Sequence, residues 1–320
     1  MSTTALTSAR RQTQAIGRPN PLLSVLTWEL RRFLASRLFW IQALGFFCLA
    51  LFFIWATQSP ATQQVASQSV STYLPAAGTS TWVLLLMLQA GLLLLPGLLL
   101  PFINADSVTR DLQRRTHELL MTTSVPSRAY IWGRYLTGLL VSLGLAVLML
   151  AAILAMDLLR HLTVSTDPLP AIGNVLILWV GMIVPATILL SSLSFALGTL
   201  LPRQSMLVKI VILLAWFIGV VFLAPFLDRS DAPAAWYSAW DPTSAATVSA
   251  LLVPYVPDFS NQIAGVTSVA QTQHMLLTVE NTLYSVGPWF VPHLILAGLS
   301  LLLVMLAAFT FQRFRNAFNG

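Results

Sequence analysis

Long apolar runs separated by short polar segments dominate this chain. A helix needs about 20 mainly apolar residues to cross a bilayer, and six windows of the sequence qualify. They are Leu38 to Ala56, Trp82 to Ile103, Tyr135 to Met156, Ala171 to Leu201, Met206 to Leu227 and Trp289 to Phe311. All six are predicted to be helices, because an open backbone would leave its polar groups unpaired in lipid. The pattern therefore predicts an all-α integral membrane protein with a six-span transmembrane domain over residues 38–320.

The fourth window is longer than one simple span requires. It contains Gly181 and Pro185. We expect this helix to tilt, to break near these two residues, or to begin in the membrane interface.

The sequence ahead of the first window changes character at Pro21. Residues 1–20 are rich in Thr, Gln, Ser and Arg without an apolar period, which predicts a disordered cytoplasmic N-terminus. Over residues 21–37 the apolar side chains share one helical face, and Glu29, Arg31 and Arg32 lie mostly off it. This pattern predicts an amphipathic interfacial helix on the inner membrane surface, with a cytosolic extension of the first span as the alternative. We expect the first span to be a retained anchor, because no signal-peptide cleavage site follows it.

The distribution of charge predicts the orientation. Only 9% of residues are charged and 57% are hydrophobic, whereas soluble domains carry about 25% charged residues. If the N-terminus is cytoplasmic, every Lys and Arg except Arg160 and Arg229 lies on the inner side, and most acids lie on the outer side. The net charge of +6 is therefore interpreted as a topology signal and not as a nucleic-acid-binding surface. We expect a multi-pass protein of the plasma (inner) membrane with both termini cytoplasmic.

A long segment, residues 228–288, is predicted to lie on the extracytoplasmic side between the fifth and sixth spans. Two of its parts, Thr243 to Leu252 and Thr272 to Tyr284, have helical character. The lone Cys48 excludes an intramolecular disulfide. We therefore expect these helical parts to rest on the spans or to dip into the outer leaflet.

The sequence contains no recognised metal-binding, nucleotide-binding or catalytic motif. The four His residues are scattered, so no metal site is predicted, and the only Lys, Lys209, is not in a phosphate-loop context. No Gly-x-Ser-x-Gly elbow is present.

Asp157 and Lys209 lie near span ends, and their charged groups are expected to extend (snorkel) to the membrane interface. Because the span centres lack titratable groups, a proton- or ion-driven carrier is disfavoured and the energy must come from elsewhere.

A charged hairpin, residues 106–134, separates the second and third windows. Asp106 or Ser107 can cap a helix in which Asp111 and Arg115, and also Arg114 and Glu118, are spaced for i,i+4 pairs. Leu112, Thr116, Leu119 and Leu120 form the opposite, mostly apolar stripe. Such a helix presents one face to the membrane or a partner groove and the other to solvent. An ordinary basic cytoplasmic loop is the alternative.

The residues of this hairpin resemble the cytoplasmic coupling helix of type-2 ABC transporter permeases. The run is Arg110-Asp111-x-x-Arg114-Arg115-Thr116-x-Glu118-Leu119-Leu120, followed by Ser124-Val125-Pro126-x-Arg128 and Gly133-Arg134. Arg115 replaces the usual Gly of that family, and Val125-Pro126 replaces the commoner Pro-Val order. Trp28-Glu29-Leu30-Arg31-Arg32 also resembles the interfacial helix that precedes the first span in this family.

The resemblance implies a division of labour between chains. Arg110 to Met121 would dock into a groove of a separate ATP-binding cassette subunit, with possible further contacts from Glu29, Arg31 and Arg32. ATP and Mg²⁺ would bind to that partner, so this chain would carry no cofactor and would not itself be an enzyme. A second permease chain, either a second copy or a paralogue, would complete the membrane unit, with lipids around it.

Three functions follow as hypotheses from the sequence. The leading one is a permease subunit for export of an amphiphilic or hydrophobic substrate along a path between two chains. The candidates for lining that path are Gln42, Gln89, Asn104, Ser191 and Ser194, although such residues more often serve helix packing. The alternatives are a non-transporting subunit that relays ATPase motion to an extracytoplasmic partner and, less favoured, a membrane-embedded enzyme. The substrate, the direction of transport and the identity of the second chain do not follow from the sequence.

Overall fold

A computed structural model of the chain describes residues 20–58, 76–108, 126–223, 234–255, 258 and 268–317. The described part of the chain is helical and contains no strand. Within these ranges five helices are long and apolar enough to cross a membrane, and there are six when the bent pair is counted as one span. In chain order we call them span 1 (Arg37–Gln58), span 2 (Thr81–Leu92 with Leu94–Val108), span 3 (Ser127–Thr163), span 4 (Ile172–Leu200), span 5 (Pro202–Phe222) and span 6 (Gly287–Phe311). The predicted all-α, multi-span fold class is confirmed.

The two ends of the helix bundle differ in the charged residues that they carry. We call the end at which spans 1, 3 and 5 begin the basic end, and the opposite end the acidic end. Span 3 has 37 residues, which at about 1.5 Å per residue exceed the roughly 30 Å hydrocarbon core. It therefore extends beyond the apolar layer and places Arg134 near the basic end and Asp157 near the acidic end.

Three of the described spans contain π-helical turns, and the turn at the end of span 5 covers Gly219–Leu223. Span 2 changes to a π turn over Leu88–Leu92, and its two halves are bent by 46°. Span 4 has a π turn over Trp179–Ile183 directly ahead of Pro185, which is where the sequence suggested a break. Proline has no backbone N–H, so a regular helix cannot continue through it with all its hydrogen bonds.

Span 4 lies at the centre of the bundle and packs on spans 2, 3 and 6. Gly198 makes close approach to span 2 possible, because a Cβ atom there would collide with the backbone of Ala105. Trp216 of span 5 donates its indole N–H to the carbonyl of Leu93 at 2.8 Å, at the bend of span 2. The bent spans are thus held by side chains of their neighbours.

In the described part of the chain four shorter helices lie outside the spans. Pro21–Ala35, which we call the N-terminal helix, packs on span 3 at the basic end. At the acidic end are Ala235–Trp240, Ala245–Leu252 and Val269–Glu280, the last two of which correspond to the helical parts expected in the long segment. Ala245–Leu252 is mostly buried and packs against the π turns of spans 2 and 5.

Candidate functional site

The N-terminal helix is attached to span 3 by a buried ion pair. Nη1 of Arg134 lies 2.6 Å from Oε1 of Glu29, and the two side chains are 4% and 2% exposed. Arg32, which is partly exposed, approaches the same carboxylate oxygen at 3.3 Å. Removing one partner of such a pair is costly, because the other charge remains buried without compensation. The pair therefore fixes the N-terminal helix on the start of span 3.

Local features of the sequence allow this close contact. The side chain of Asn20 accepts a hydrogen bond from the backbone N–H of Leu22, and Pro21 occupies the first helical turn, where no donor is needed. On span 3, Gly133 lies against Val25, which would collide with a Cβ atom at that position. The helix thus docks where span 3 presents a small residue beside Arg134.

Aromatic rings surround the guanidinium of Arg134. Its central carbon lies 5.3 Å from the ring centroid of Tyr130 and 5.8 Å from that of Trp28. A cavity of about 160 Å³ separates the N-terminal helix from spans 2 and 3 at this point. Its lining residues are Glu29, Arg32, Phe33, Ser36, Ile103, Ser107, Arg134 and Gly138.

The placement of Glu29 differs from the sequence interpretation. The helical pattern placed Glu29 off the apolar face, yet the structure buries it because its carboxylate meets Arg134. Leu23 and Leu34, two apolar residues of the same helix, are 55% and 46% exposed. Arg31 is exposed and, with Arg32, remains available for contacts beyond the chain.

A second ion pair joins spans 2 and 5 at the basic end. Nζ of Lys209 lies 2.6 Å from Oδ2 of Asp106 and 5.8 Å from the ring centroid of Phe102. The side chain of Lys209 is 10% exposed. The expectation that Lys209 snorkels to an interface is therefore wrong, because an acid on the neighbouring span neutralises its charge within the bundle.

The predicted docking residues of the hairpin lie outside the described residues. They are Arg110, Asp111, Arg114, Arg115, Thr116, Glu118, Leu119 and Leu120. The chain on either side of them is well packed. Val108 is 1% exposed and belongs to an apolar cluster with Ile131, Tyr135 and Val304. Both ends of the hairpin are consequently anchored in the bundle, while its docking role stays a prediction.

The candidate path residues fall into two groups. Asn104, Ser191 and Ser194 are fully buried within this one chain, and the amide of Asn104 donates to Leu100, to Ser142 and, at 3.4 Å, to the hydroxyl of Ser191. These contacts join spans 2, 3 and 4. By contrast, Gln42 is half-buried and Gln89 is exposed, with Gln89 donating to Ser249 at 3.3 Å. The path itself stays a prediction.

Asp157 belongs to a polar network at the acidic end. The amide of Gln58 donates to Oδ1 of Asp157 at 2.9 Å and to the carbonyl of Gly78 at 3.1 Å. Arg160 donates to Asp167 at 2.8 Å and to the backbone carbonyl of Gln58 at 2.9 Å. Asp157 is 2% exposed, so the expectation that it snorkels is also wrong. The partner that retains it, Gln58, is 99 residues away along the chain.

Glu280 extends the same network to the helix Val269–Glu280. Its fully buried carboxylate accepts hydrogen bonds from the backbone N–H groups of Ala76 and Ala77. Burial raises the pKa of Glu280 to about 8; the two backbone donors oppose this shift, and the neighbouring charge of Asp167 adds to it. Burial therefore favours the protonated form of this carboxyl group.

His293, one of the four scattered His residues, is buried and only 2% exposed. Its ring nitrogens face carbonyl oxygens of two different elements. No sequence signal identifies such contacts, because neither partner residue supplies a side-chain motif. Among the described residues no group of three or more His, Cys, Asp or Glu is arranged to hold a metal ion.

Comparison with known proteins finds one family model that matches the chain. The family model described as ABC-2 family transporter protein matches residues 57–311, which include spans 2 to 6 and the hairpin. No curated protein matches the chain.

Proposed function

Because the family match covers most of its length, the chain belongs to the ABC-2 family of transporter proteins, and we propose that it is the permease subunit of an ATP-driven exporter. Members of this family are membrane subunits of transporters and work with an ATP-binding cassette partner. On this proposal ATP hydrolysis takes place on the partner, and the present chain converts the partner's motion into movement of its spans.

The proposal rests most strongly on the basic end of the bundle. The hairpin, residues 106–134, emerges from span 2 and returns into span 3. Asp106, close to its start, is paired with span 5, and Arg134, at its end, is paired with the N-terminal helix. A force applied to the hairpin would therefore reach spans 2, 3 and 5 and the N-terminal helix together.

The composition of the hairpin supports docking to a protein partner. Arg110, Arg114 and Arg115 alternate with the acids Asp111 and Glu118, so one helical face would offer charges of both signs. A groove on the ATP-binding subunit with matching charges would fix its register. The exposed Arg31 and the partly exposed Arg32 lie on the same end of the bundle and would extend this contact.

The cargo proposal follows from the surface of the spans. Large apolar side chains are exposed along spans 1 and 5, among them Phe52 and Leu214. Gln42 and Gln89 are the candidate path residues that retain accessible surface. A path between two permease chains, whether copies or paralogues, that is mostly apolar with a few amide groups suits an amphiphilic or hydrophobic substrate.

The positive-inside rule supports cytoplasmic termini in the plasma membrane.

The experiment begins with purification of the tagged chain from its native host in mild detergent, followed by mass spectrometry. A stoichiometric soluble protein that carries a phosphate loop is expected. The purified complex is then reconstituted into vesicles, and ATP-dependent movement of fluorescent lipids and hydrophobic peptides is measured. ATPase activity without movement of any cargo would favour the relay hypothesis. Isolation of the chain without an ATPase would contradict the proposal.

A further inference from the structure

We propose that the cavity between the N-terminal helix and spans 2 and 3 is a binding site for the phosphate group of a membrane lipid. Its volume is about 160 Å³, whereas one water molecule needs only about 10–15 Å³ of such space. The cavity is therefore large enough for a phosphate group with its ester oxygens. Polar residues of three parts of the chain line it: Arg32 and Ser36 at the end of the N-terminal helix, Ser107 of span 2 and Arg134 of span 3.

The charged groups of the cavity leave one positive charge uncompensated. Arg32, Arg134 and Glu29 all line the cavity, and their formal charges add up to +1. The carboxylate of Glu29 lies 2.6 Å from the buried Arg134 but 3.3 Å from Arg32. The shorter contact neutralises Arg134, so Arg32 supplies the excess charge. A phosphodiester carries one negative charge and would balance it.

The donors that a phosphate requires lie where the cavity can be reached from outside. The side chain of Arg32 is 39% exposed and gives one of its five N–H donors to Glu29. The described part of the chain supplies no acceptor for the other four, and none for the hydroxyl of the half-buried Ser36. Arginine binds phosphate through charge-assisted hydrogen bonds that are often bidentate. Arg32 and Ser36 are therefore the proposed phosphate contacts.

The surroundings of the cavity favour a lipid as the source of the phosphate. Trp28 and Leu34 of the N-terminal helix and Trp40 at the start of span 1 are exposed, and Trp is enriched at the membrane–water interface. Phe33 and Ile103 line the same cavity and offer an apolar wall to the glycerol and acyl carbons. On the proposed orientation this is the cytoplasmic side, where basic pockets between spans bind the headgroups of anionic lipids.

The test measures binding of dihexanoyl phosphatidylglycerol to the delipidated full-length chain in a nonionic detergent, followed by the rise in melting temperature. Arg32→Gln should weaken the apparent affinity about tenfold, as expected for the loss of a hydrogen bond to a charged group. Arg31→Gln is the matched control, because Arg31 is exposed and does not line the cavity. It should change the affinity less than twofold, since an uncharged micelle leaves only the bound lipid for it to attract.

A second variant and two other compounds test the source of the binding. Ser36→Leu fills the mouth of the cavity without changing its charge and should abolish the rise in melting temperature. Dihexanoylglycerol, which lacks the phosphate, and inorganic phosphate, which lacks the lipid, should each give less than a tenth of the rise at the same concentration. Equal affinities of Arg32→Gln and Arg31→Gln, undiminished binding to Ser36→Leu, or an equal rise with either compound would overturn the proposal. The chain is tested without an ATPase partner, so the result is independent of the proposed transport function.

Discussion

The two ends of the helix bundle stabilise their buried and half-buried carboxylates in different ways. At the basic end Glu29 and Asp106 lie within 2.6 Å of a guanidinium and an ammonium nitrogen, respectively. At the acidic end Asp157 is held by the amide of Gln58, and Glu280 by backbone N–H groups. Among the described residues neither of these two acids forms an ion pair, although their neighbour Asp167 does, with Arg160.

This difference suggests different tasks for the two ends. Ion pairs between helices require both charges, so the elements at the basic end are held as one unit that can receive a force from the hairpin. Neutral donors can hold a carboxyl group whether or not it is ionised. The acidic end is therefore expected to tolerate loss of charge and to respond to pH.

The largest effect is expected from breaking the pair at the basic end. Glu29→Gln leaves the buried guanidinium of Arg134 without its carboxylate and should lower the free energy of unfolding by about 3–5 kcal/mol. The measurement is denaturant titration of the purified chain in mixed micelles. Arg32→Gln is the matched control, because this partly exposed arginine contacts the same carboxylate and should cost about 1 kcal/mol or less. Equal losses in the two variants would show that the buried pair does not fix the N-terminal helix.

A second effect, which grows as the pH falls below 8, is expected from the titration of Glu280. Its pKa is raised to about 8 in the folded chain, whereas an unfolded Glu titrates near pH 4.3. Between these values the folded state binds more protons, so stability should increase as pH falls from about 8 towards 4.5 and should be level above pH 8. One proton contributes at most about 1.4 kcal/mol per pH unit.

The variant Glu280→Gln should remove this contribution from the pH dependence of the melting temperature. Asp258→Asn serves as the control, since Asp258 is a half-buried acid that accepts a hydrogen bond from Tyr284 at 2.6 Å; this variant should keep the slope. A slope that persists in Glu280→Gln would assign the titration to another group.

The smallest effect is expected at Asp157. Asp157→Asn keeps one oxygen that can accept the hydrogen bond from Gln58 and replaces the other oxygen by an uncharged NH2 group. The free energy of unfolding should change by less than about 1 kcal/mol, within the range of a single neutral hydrogen bond. A loss as large as that of Glu29→Gln, measured in the same titration, would abolish the distinction between the two ends.

Much of the fold could be predicted from the sequence because the bilayer imposes a strong length constraint. Each apolar window corresponds to one span, and the break in span 4 lies where Gly181 and Pro185 suggested it. Helix periodicity also indicated the N-terminal helix. These features depend on local composition, which can be read directly from a single sequence.

The polar contacts could not be predicted in the same way. Glu29 and Arg134 are distant in sequence, and so are Asp106 and Lys209, so nothing local indicates that they meet. A charged residue near a span end is compatible with snorkelling or with pairing, and only the packing of the spans decides between them. The docking residues of the hairpin, Arg110 to Leu120, remain a prediction from the sequence and the family resemblance.

Co-purification tests the central claim, that an ATP-binding subunit engages the basic end, most directly. The tagged wild type, Glu118→Lys and Asp157→Asn are each expressed in the native host, and the ATPase recovered with each is quantified by mass spectrometry. We expect equal recovery with the wild type and Asp157→Asn, and loss of the ATPase with Glu118→Lys, because this change reverses a charge of the docking helix while the chain remains inserted. Full recovery with Glu118→Lys would contradict the account.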